Sequence, residues 1–518
     1  MRRVPYLLAF VVAFCGFMFT TPLGLGLSPD SIAYLKGGIG LVSGHGLSYV
    51  SAIWPPLYPI LIALFGWLAD DVILGARILN ALFYAGNLFV LAEIIQRITK
   101  QHSFLSTILA GLVFIQTPLT YVHFYAWSEP CLLFWILTNL LLLSSLRESK
   151  APSVTQIALI ILASFSLFTR FAGVIVAVTN CVMVFILVTD RSFLVRCTRA
   201  AAQLLIPILM FLPWTRHQGI GDGPAAARFI EFHPITGETI SKGLMTIGRW
   251  LTPYSAAGYE QAFDLALVLS GSCLILIALA ILIWSVLKYC RILRAGLATS
   301  TDNAFYAQEN IILVSSALLT LTYVLFLVSA LSFVDSKVVL DKRILVLIYP
   351  ALLLCIIAII YKIKIKTLRY ASIAALALVM LTALPNLKGW LLLSRYGGIE
   401  MNSRSVIHSP IQRFAQSCST SLQVYADNPW NFDLHFSPKV FWLPGRVLYN
   451  SRRPNFAFLD EVNHALLRAD LIIIEDKNSE LISQIDATSH FDRIWQTDSG
   501  IAWANKTKHT TDVCRVKE

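Results

Sequence analysis

The chain is dominated by a series of about eleven long apolar segments separated by short polar loops. It is 56% hydrophobic and only 14% charged, which is more apolar surface than one soluble core can bury. A membrane-spanning helix needs roughly 20 mainly apolar residues. The sequence therefore predicts an all-α polytopic membrane protein. The predicted spans lie near residues 5–24, 73–96, 103–121, 130–146, 154–169, 172–189, 200–214, 264–287, 310–333, 344–361 and 370–388.

The distribution of Lys and Arg predicts how these spans are oriented. Arg2 and Arg3 precede the first apolar run, and a signal peptide is the alternative, but no clear small-x-small cleavage site follows them. With a cytoplasmic N-terminus, every alternate loop on that side is basic, as the positive-inside rule requires. The apolar stretch at residues 55–69 is short and lies between Trp54 and Asp70, which favours an interfacial helix over a membrane span. An odd number of spans then puts the C-terminal region outside the cytoplasm, in a multi-pass protein of the inner (plasma) membrane.

Hydropathy falls after Trp390, which divides the chain into a membrane domain, residues 1–389, and a small extracytoplasmic α/β domain, residues 390–518. Cys418 and Cys514 lie near the two ends of the second domain, so a disulfide is open to them in an oxidising compartment. Its predicted strands are residues 422–426, 471–475 and 501–505, and its predicted helices are residues 461–468 and 481–486.

The net charge of +11 raises the question of nucleic acid binding. The Lys and Arg residues stand in short clusters between apolar runs rather than along one face. Membrane topology explains this pattern, and the expected surroundings are the lipid bilayer and no nucleic acid.

Two carboxylates occupy unusual positions at predicted span ends. Asp30 follows the first span within Ser28-Pro29-Asp30-Ser31, and Glu129 opens a later span within Trp127-Ser128-Glu129-Pro130. Each has a structural interpretation as a helix cap. If the two face each other across a cavity, their oxygens suit a hard divalent cation such as Mg or Mn. The sequence leaves both interpretations open.

Four basic residues are expected on the outer side, where the positive-inside rule disfavours them: Arg77, Arg170, Lys342 and Arg343. An Arg at the bilayer centre costs about 2.5 to 3.5 kcal/mol or more, so these side chains are predicted at the surface or in a cavity. Guanidinium groups suit bidentate contacts with phosphate, which predicts an anionic ligand. Snorkelling interface anchors are the alternative.

Aromatic and polar residues of the same loops are predicted to line the substrate site: Tyr34, His45, Tyr58 and Trp127. A lone His such as His45 is more often a surface residue than a ligand.

The order of these features resembles the GT-C membrane glycosyltransferases that use polyprenyl-phosphate sugars, the class of the protein O-mannosyltransferases and the lipid A aminoarabinose transferase. The resemblance spans about residues 1–350. Its carriers are Pro29-Asp30-Ser31-Ile32-Ala33-Tyr34, Pro55-Pro56-Leu57-Tyr58, Ala76-Arg77, Trp127-Ser128-Glu129-Pro130, and Lys342-Arg343 with Tyr349-Pro350.

The resemblance implies an inverting transfer of a sugar from a polyprenyl-phosphate donor to a hydroxyl of an envelope lipid, glycan or protein. It implies that Asp30 deprotonates the acceptor and that Glu129 and a divalent cation organise the site. It also implies that Arg170, Lys342 or Arg343 neutralises the phosphate. Ser31 stands where many members carry a second acid, which leaves metal dependence open.

Two other functions compete with this one. A transporter or flippase of lipid-linked sugars would keep ionisable residues or broken helices near mid-span in both halves, whereas the candidates here cluster at outer span ends. A scaffold protein would use Asp30 and Glu129 only as helix caps. The positions of the ionisable residues favour the enzyme.

Overall fold

The structure is a computed structural model in which the protein is mostly helical, with a small sheet near its C-terminus. It describes residues 4–51, 53–149, 151–188, 192–217, 230–250, 260–294, 307–335, 338–418, 422–428, 432, 439–446, 455–476, 479–498, 500–506 and 514, so Arg2 and Arg3 lie outside the described residues. The helices are α1 Val4–Thr20, α2 Pro29–Val42, α3 Leu57–Ala69, α4 Val72–Thr99, α5 Ser103–Phe114, α6 Thr117–His123, α7 Glu129–Ser145, α8 Pro152–Thr169, α9 Val174–Leu187, α10 Phe193–Thr215, α11 Gly237–Gly248, α12 Glu260–Arg294, α13 Gln308–Phe333, α14 Lys342–Leu345, α15 Tyr349–Lys362, α16 Lys366–Leu381, α17 Leu384–Leu392, α18 Arg404–Ile407, α19 Pro410–Gln416, α20 Phe458–Arg468 and α21 Leu481–Asp486. The strands are β1 Gln423–Ala426, β2 Lys439–Trp442, β3 Leu471–Ile474, β4 Phe491–Thr497 and β5 Gly500–Asn505.

Among the described residues, six helices are long and apolar enough to cross a membrane. Less than a third of the apolar stretch of α10 and of α12 is buried inside the protein, so their outer faces require lipid. Each predicted span contains an apolar helix, although α1, α7, α9 and α15 are shorter than 18 residues. The chain is thus a mostly helical polytopic membrane protein, and the count of eleven spans stays a prediction. The six long spans are Val72–Thr99, Pro152–Thr169, Phe193–Thr215, Asp264–Cys290, Gln308–Phe333 and Lys366–Gly397.

The span predicted at residues 103–121 is not a single straight helix. It forms α5 and α6, whose axes differ by 77°. The helix breaks at Gln116, which has an extended backbone, and Pro118 lies in the first turn of α6, where its missing N–H is tolerated. The Gln116 side chain is buried and donates a hydrogen bond of 2.8 Å to the Met380 carbonyl, which satisfies polar groups at the break.

The loops that the sequence predicts on the cytoplasmic side lie together. The hydroxyl of Tyr6, in the first turn of α1, donates to Gln96 near the end of α4 at 2.5 Å. Lys100, just after α4, forms a 3.0 Å ion pair with Glu309 at the start of α13. The N-terminal end of α1 and the basic loop after α4 therefore share one side of the helical bundle.

The opposite side gathers the loops that carry the candidate residues. Isolated backbone bridges connect Gly26 to Tyr125 and Leu27 to Glu400. The loop before Asp30, the loop before Glu129 and the segment after α17 consequently meet on this side.

The C-terminal sheet contains five strands in the order β2-β1-β3-β5-β4. Strands β2, β1 and β3 are parallel, and β5 and β4 are antiparallel to their neighbours. The three predicted strands form as β1, β3 and β5, and the two predicted helices form as α20 and α21. The sequence missed β2 and β4. Only the first residue of β4, Phe491, is buried, and charged Asp492 and Arg493 follow it, so β4 lacks the buried apolar run that marks β3.

A disulfide joins Cys418 and Cys514, across a sequence separation of 96 residues. The other seven cysteines are free thiols.

In the unfolded protein, we expect a maleimide-polyethylene-glycol reagent to label seven cysteines without reductant and all nine after reduction, counted by gel shift. The Cys418→Ser variant is the control, because it should label equally with and without reductant. Labelling of all nine cysteines without reductant would contradict the pairing.

Candidate active site

Helix α2 presents Asp30 in its first turn. Ser28 is the N-cap, and its side chain accepts a hydrogen bond from the Ser31 backbone N–H at 3.5 Å. Pro29 occupies the first helical position, which its fixed φ favours. Capping is thus done by Ser28, and the Asp30 carboxylate bonds to Arg343 instead, with Oδ2 at 2.5 Å from Nη2.

Glu129 is the first residue of α7 and is almost completely buried, with 1% of its side chain exposed. Its Oε1 forms an ion pair with Nη1 of Arg170 at 2.9 Å and accepts a hydrogen bond from Nε of Arg343 at 2.6 Å. A buried carboxylate is strongly unfavourable unless it is paired and hydrogen-bonded. The two arginines supply that pairing.

Arg343 joins the two carboxylates into one network. Asp341 caps the short helix α14, since its Oδ1 accepts from the backbone N–H groups of Arg343 and Ile344 at 3.0 Å. Burial disfavours the charged guanidinium, but the adjacent carboxylates of Glu129 and Asp30 outweigh it and raise the pKa of Arg343. The side chain is therefore a permanent cation held between two acids.

A layer of hydroxyl-bearing side chains packs against the Arg170 side of the carboxylate–arginine network. Ser128 accepts a 3.1 Å hydrogen bond from Arg170 and shares one of 3.0 Å with the Tyr34 hydroxyl. The edge of the Tyr34 ring meets Tyr58, which donates to Asn80 at 2.9 Å. Tyr34 and Tyr58, predicted to contact substrate, are both buried in this layer.

An aromatic cluster covers the other side of Arg343. Its guanidinium lies 4.1 Å from the centre of the Trp127 ring, and Trp127 stacks on Tyr125 at 4.0 Å. The Lys342 ammonium lies 3.7 Å from the centre of the Tyr121 ring, and burial lowers the pKa of Lys342. Lys342 therefore belongs to the aromatic side of the site, whereas Arg343 faces the carboxylates.

Two predicted site residues have their contacts elsewhere. Arg77 donates from Nε to Thr21 at 3.0 Å and from Nη2 to the Met18 carbonyl, so it bonds the end of α1. His45 is exposed, and its ring contacts Tyr49. Neither residue has a contact with the carboxylate–arginine network among the described residues.

A divalent cation does not fit between Asp30 and Glu129 as they stand. Oδ2 of Asp30 and Oε1 of Glu129 both bond Arg343, which occupies the position that a cation shared by these two oxygens would take. Arg170 adds a second positive charge to the same oxygen of Glu129. Within the described part of the chain, no three His, Cys, Asp or Glu side chains are grouped as metal ligands. The arginines already balance both acids.

One acceptor in the network has no partner. Oε2 of Glu129 is buried and makes no hydrogen bond to any described residue. Leaving a buried polar atom unsatisfied is unfavourable by roughly 1–3 kcal/mol, and more for a charged group. This oxygen is therefore free to accept a hydrogen bond from a group that enters the site.

Several residues of the site were missed by sequence reasoning. Ser128, Tyr121 and Trp390 contact Arg170 or Lys342, and Glu400 accepts a hydrogen bond from Tyr125 at 2.7 Å. Ser128 lies in the motif that contains Glu129, so its position was a usable signal. Glu400 follows two glycines in a segment with no helical or strand periodicity, and nothing in the sequence connects it to Tyr125.

No protein-family model matches the sequence, and no curated protein matches it. Among solved structures, ArnT from Cupriavidus metallidurans in the apo state is similar, with a TM-score of 0.48 and 11% identity over 99% of both chains. The same enzyme bound to undecaprenyl phosphate is similar over 96% of this chain and 97% of that chain, with a TM-score of 0.48 and 11% identity. The Archaeoglobus fulgidus oligosaccharyltransferase in complex with Zn and sulfate is similar over 96% of this chain and 73% of that chain, with a TM-score of 0.49 and 10% identity.

All three structures share only 10–11% identity with this chain. TM-scores below 0.5 carry no argument about the residues of this chain, whose chemistry depends on its own geometry.

Proposed function

We propose that the protein is an inverting glycosyltransferase that moves a sugar from a polyprenyl-phosphate donor to a hydroxyl acceptor. The observation that carries this proposal is the buried network of Asp30, Arg343, Glu129 and Arg170. It combines a partly exposed carboxylate, suited to removing a proton, with two guanidinium groups suited to a phosphate. A lipid-linked donor matches a site built at the ends of apolar helices.

The reaction needs one displacement. The acceptor oxygen attacks C1 of the sugar, and Asp30 takes the hydroxyl proton. The bond between C1 and the phosphate oxygen breaks, and its electron pair leaves with polyprenyl phosphate. Arg343 and Arg170 neutralise the charge that develops on the phosphate, which stabilises the transition state.

Donor binding also prepares the base. Without donor, Arg343 is paired with Asp30 at 2.5 Å, so the carboxylate oxygen is engaged. A phosphate drawn to Arg343 competes for the same guanidinium and releases Asp30 to accept the proton. Glu129 keeps both arginines in position, and its unpartnered Oε2 accepts a hydrogen bond from the bound sugar.

We place the site on the extracytoplasmic side of an inner membrane, with the N-terminus in the cytoplasm. The disulfide between Cys418 and Cys514 supports this, because disulfides persist in oxidising compartments. The basic loop that contains Lys100 lies on the side of the bundle opposite the site.

The test is sugar transfer by the purified intact protein from a panel of labelled polyprenyl-phosphate sugars, with nucleotide sugars as the control donors. We expect transfer from at least one lipid-linked sugar and none from the nucleotide sugars. Transfer from nucleotide sugars would contradict the donor class. Movement of intact lipid-linked sugar across vesicles without transfer would instead support a flippase.

Chelation of divalent cations should leave the transfer rate unchanged, because Arg343 and Arg170 already balance the two acids. The measurement compares initial rates in EDTA with rates in added Mg or Mn. A loss of transfer in EDTA that either cation restores would show that the reaction needs a metal and would contradict this prediction.

A further inference from the structure

The segment at residues 399–402 follows the predicted membrane domain. It is hydrogen-bonded to the loop that leads to Asp30. The Met401 backbone N–H donates to the Leu27 carbonyl at 3.2 Å. The Asn402 side-chain amide donates to the carbonyls of Leu23 at 2.7 Å and Leu25 at 2.9 Å. This side chain therefore satisfies two backbone carbonyls of the connection between α1 and α2.

The loop before Asp30 is also hydrogen-bonded to the loop that leads to Glu129. The Gly26 N–H donates to the Phe124 carbonyl at 2.8 Å, and the Gly26 carbonyl accepts from Ala126 at 3.0 Å. A Cβ on Gly26 would lie 2.8 Å from Ile399 and 3.0 Å from Tyr125, so only glycine permits this approach. Residues 399–402 thus close a three-part junction at the base of both acid-bearing helices.

Glu400 extends this junction to the network itself. Its carboxylate accepts a 2.7 Å hydrogen bond from the Tyr125 hydroxyl, and the Tyr125 ring stacks on Trp127. The Trp127 indole N–H donates to Ser28 at 2.7 Å, and the Arg343 guanidinium stacks over the Trp127 ring. One chain of contacts therefore runs from Glu400 through two rings to Arg343.

The backbone of Glu400 indicates that this placement is enforced. Its φ of +48° lies in the left-handed region, which is unfavourable for a residue other than glycine. Such conformations persist where surrounding contacts over-determine them, often at functional sites. The bonds made by Met401 and Asn402 supply those contacts.

We propose that residues 399–402 are a positioning segment for the active site and that Glu400 is a positioning residue that fixes Trp127 and Arg343 relative to Asp30. This inference rests on the proposed function. Glu400 itself touches no reacting atom, so it acts on the rate of the chemical step through the geometry of Arg343.

The test uses the full-length protein with Glu400→Gln, Tyr125→Phe and the two combined. A small misplacement of catalytic groups lowers rates by up to about 100-fold, so we expect kcat to fall about 10- to 100-fold while the donor KM stays within about twofold. The double variant should be no worse than Tyr125→Phe alone, because both substitutions act on the same hydrogen bond: Gln weakens it by removing the charge on the acceptor, and Phe abolishes it. Glu461→Gln is the matched control, since Glu461 is exposed and its carboxylate accepts a hydrogen bond of 2.8 Å from Asn455, in the C-terminal domain.

Hydrogen exchange gives a second readout that does not depend on activity. We expect backbone amides of residues 25–34 and 124–131 to exchange faster in Glu400→Gln than in the intact protein or in Glu461→Gln. Unchanged kcat with unchanged exchange would overturn the proposal, as would a loss of activity explained wholly by less folded protein. If the intact protein transfers no sugar, the proposed function fails, and the exchange measurement alone decides whether Glu400 positions the network.

Discussion

Asp30→Asn is expected to lower the rate of sugar transfer by about 100- to 10,000-fold, the usual contribution of a general base. Asn keeps the size of the side chain but cannot take the acceptor proton. Asp30 is one-quarter exposed and contributes one of the two acids bonded to Arg343, so the variant is expected to fold. The measurement is kcat for transfer, normalised to folded protein.

Asp70→Asn is the matched control for this substitution. Asp70 is exposed at the end of α3 with a φ of +53°, a conformation that Asn also tolerates. Its activity should equal that of the intact protein. If folded Asp30→Asn transfers sugar at the normal rate, Asp30 is not the base.

Arg343→Lys is expected to lower kcat by about 100- to 1,000-fold, similar to the loss of one charge-stabilising donor elsewhere. Lysine keeps the positive charge but cannot contact Asp30, Glu129 and a phosphate with one planar group. The expected signature is a large fall in kcat with the protein still folded. Arg404→Lys provides the control, because Arg404 is exposed on α18.

Arg343→Gln tests the pairing without reference to activity. It removes the partner of Asp30 and one of the two partners of Glu129, which should lower the free energy of unfolding by about 1–3 kcal/mol. Adding Asp30→Asn leaves the balanced Glu129–Arg170 pair and should recover part of that stability. If thermal unfolding shows that the two substitutions are additive, Arg343 and Asp30 are not coupled.

The sequence was sufficient to predict the membrane class and the helical segments, because hydropathy reports directly on the lipid environment. It also singled out Asp30, Glu129, Arg170 and Arg343, which the structure brings together. Charged groups at span ends are conspicuous because they are unfavourable there unless paired.

The partners of these groups were less accessible to sequence reasoning. The sequence left open whether Asp30 and Glu129 cap helices or face a shared cation. In the structure Arg343 lies between them, and 313 positions separate it from Asp30. Arg77 was also predicted to contact the donor phosphate, but it bonds Met18 and Thr21 instead. Periodicity reports on local structure and burial, and it carries no information about which span ends meet.

The anomeric configuration of the product tests the central claim most directly. The intact protein is given a polyprenyl-phosphate sugar of known configuration at C1, and the linkage in the product is determined by nuclear magnetic resonance. A single displacement with Asp30 as base predicts inversion at C1. Retention would contradict the account, because it requires a second displacement through a covalent intermediate, and the proposed mechanism assigns no residue as a nucleophile.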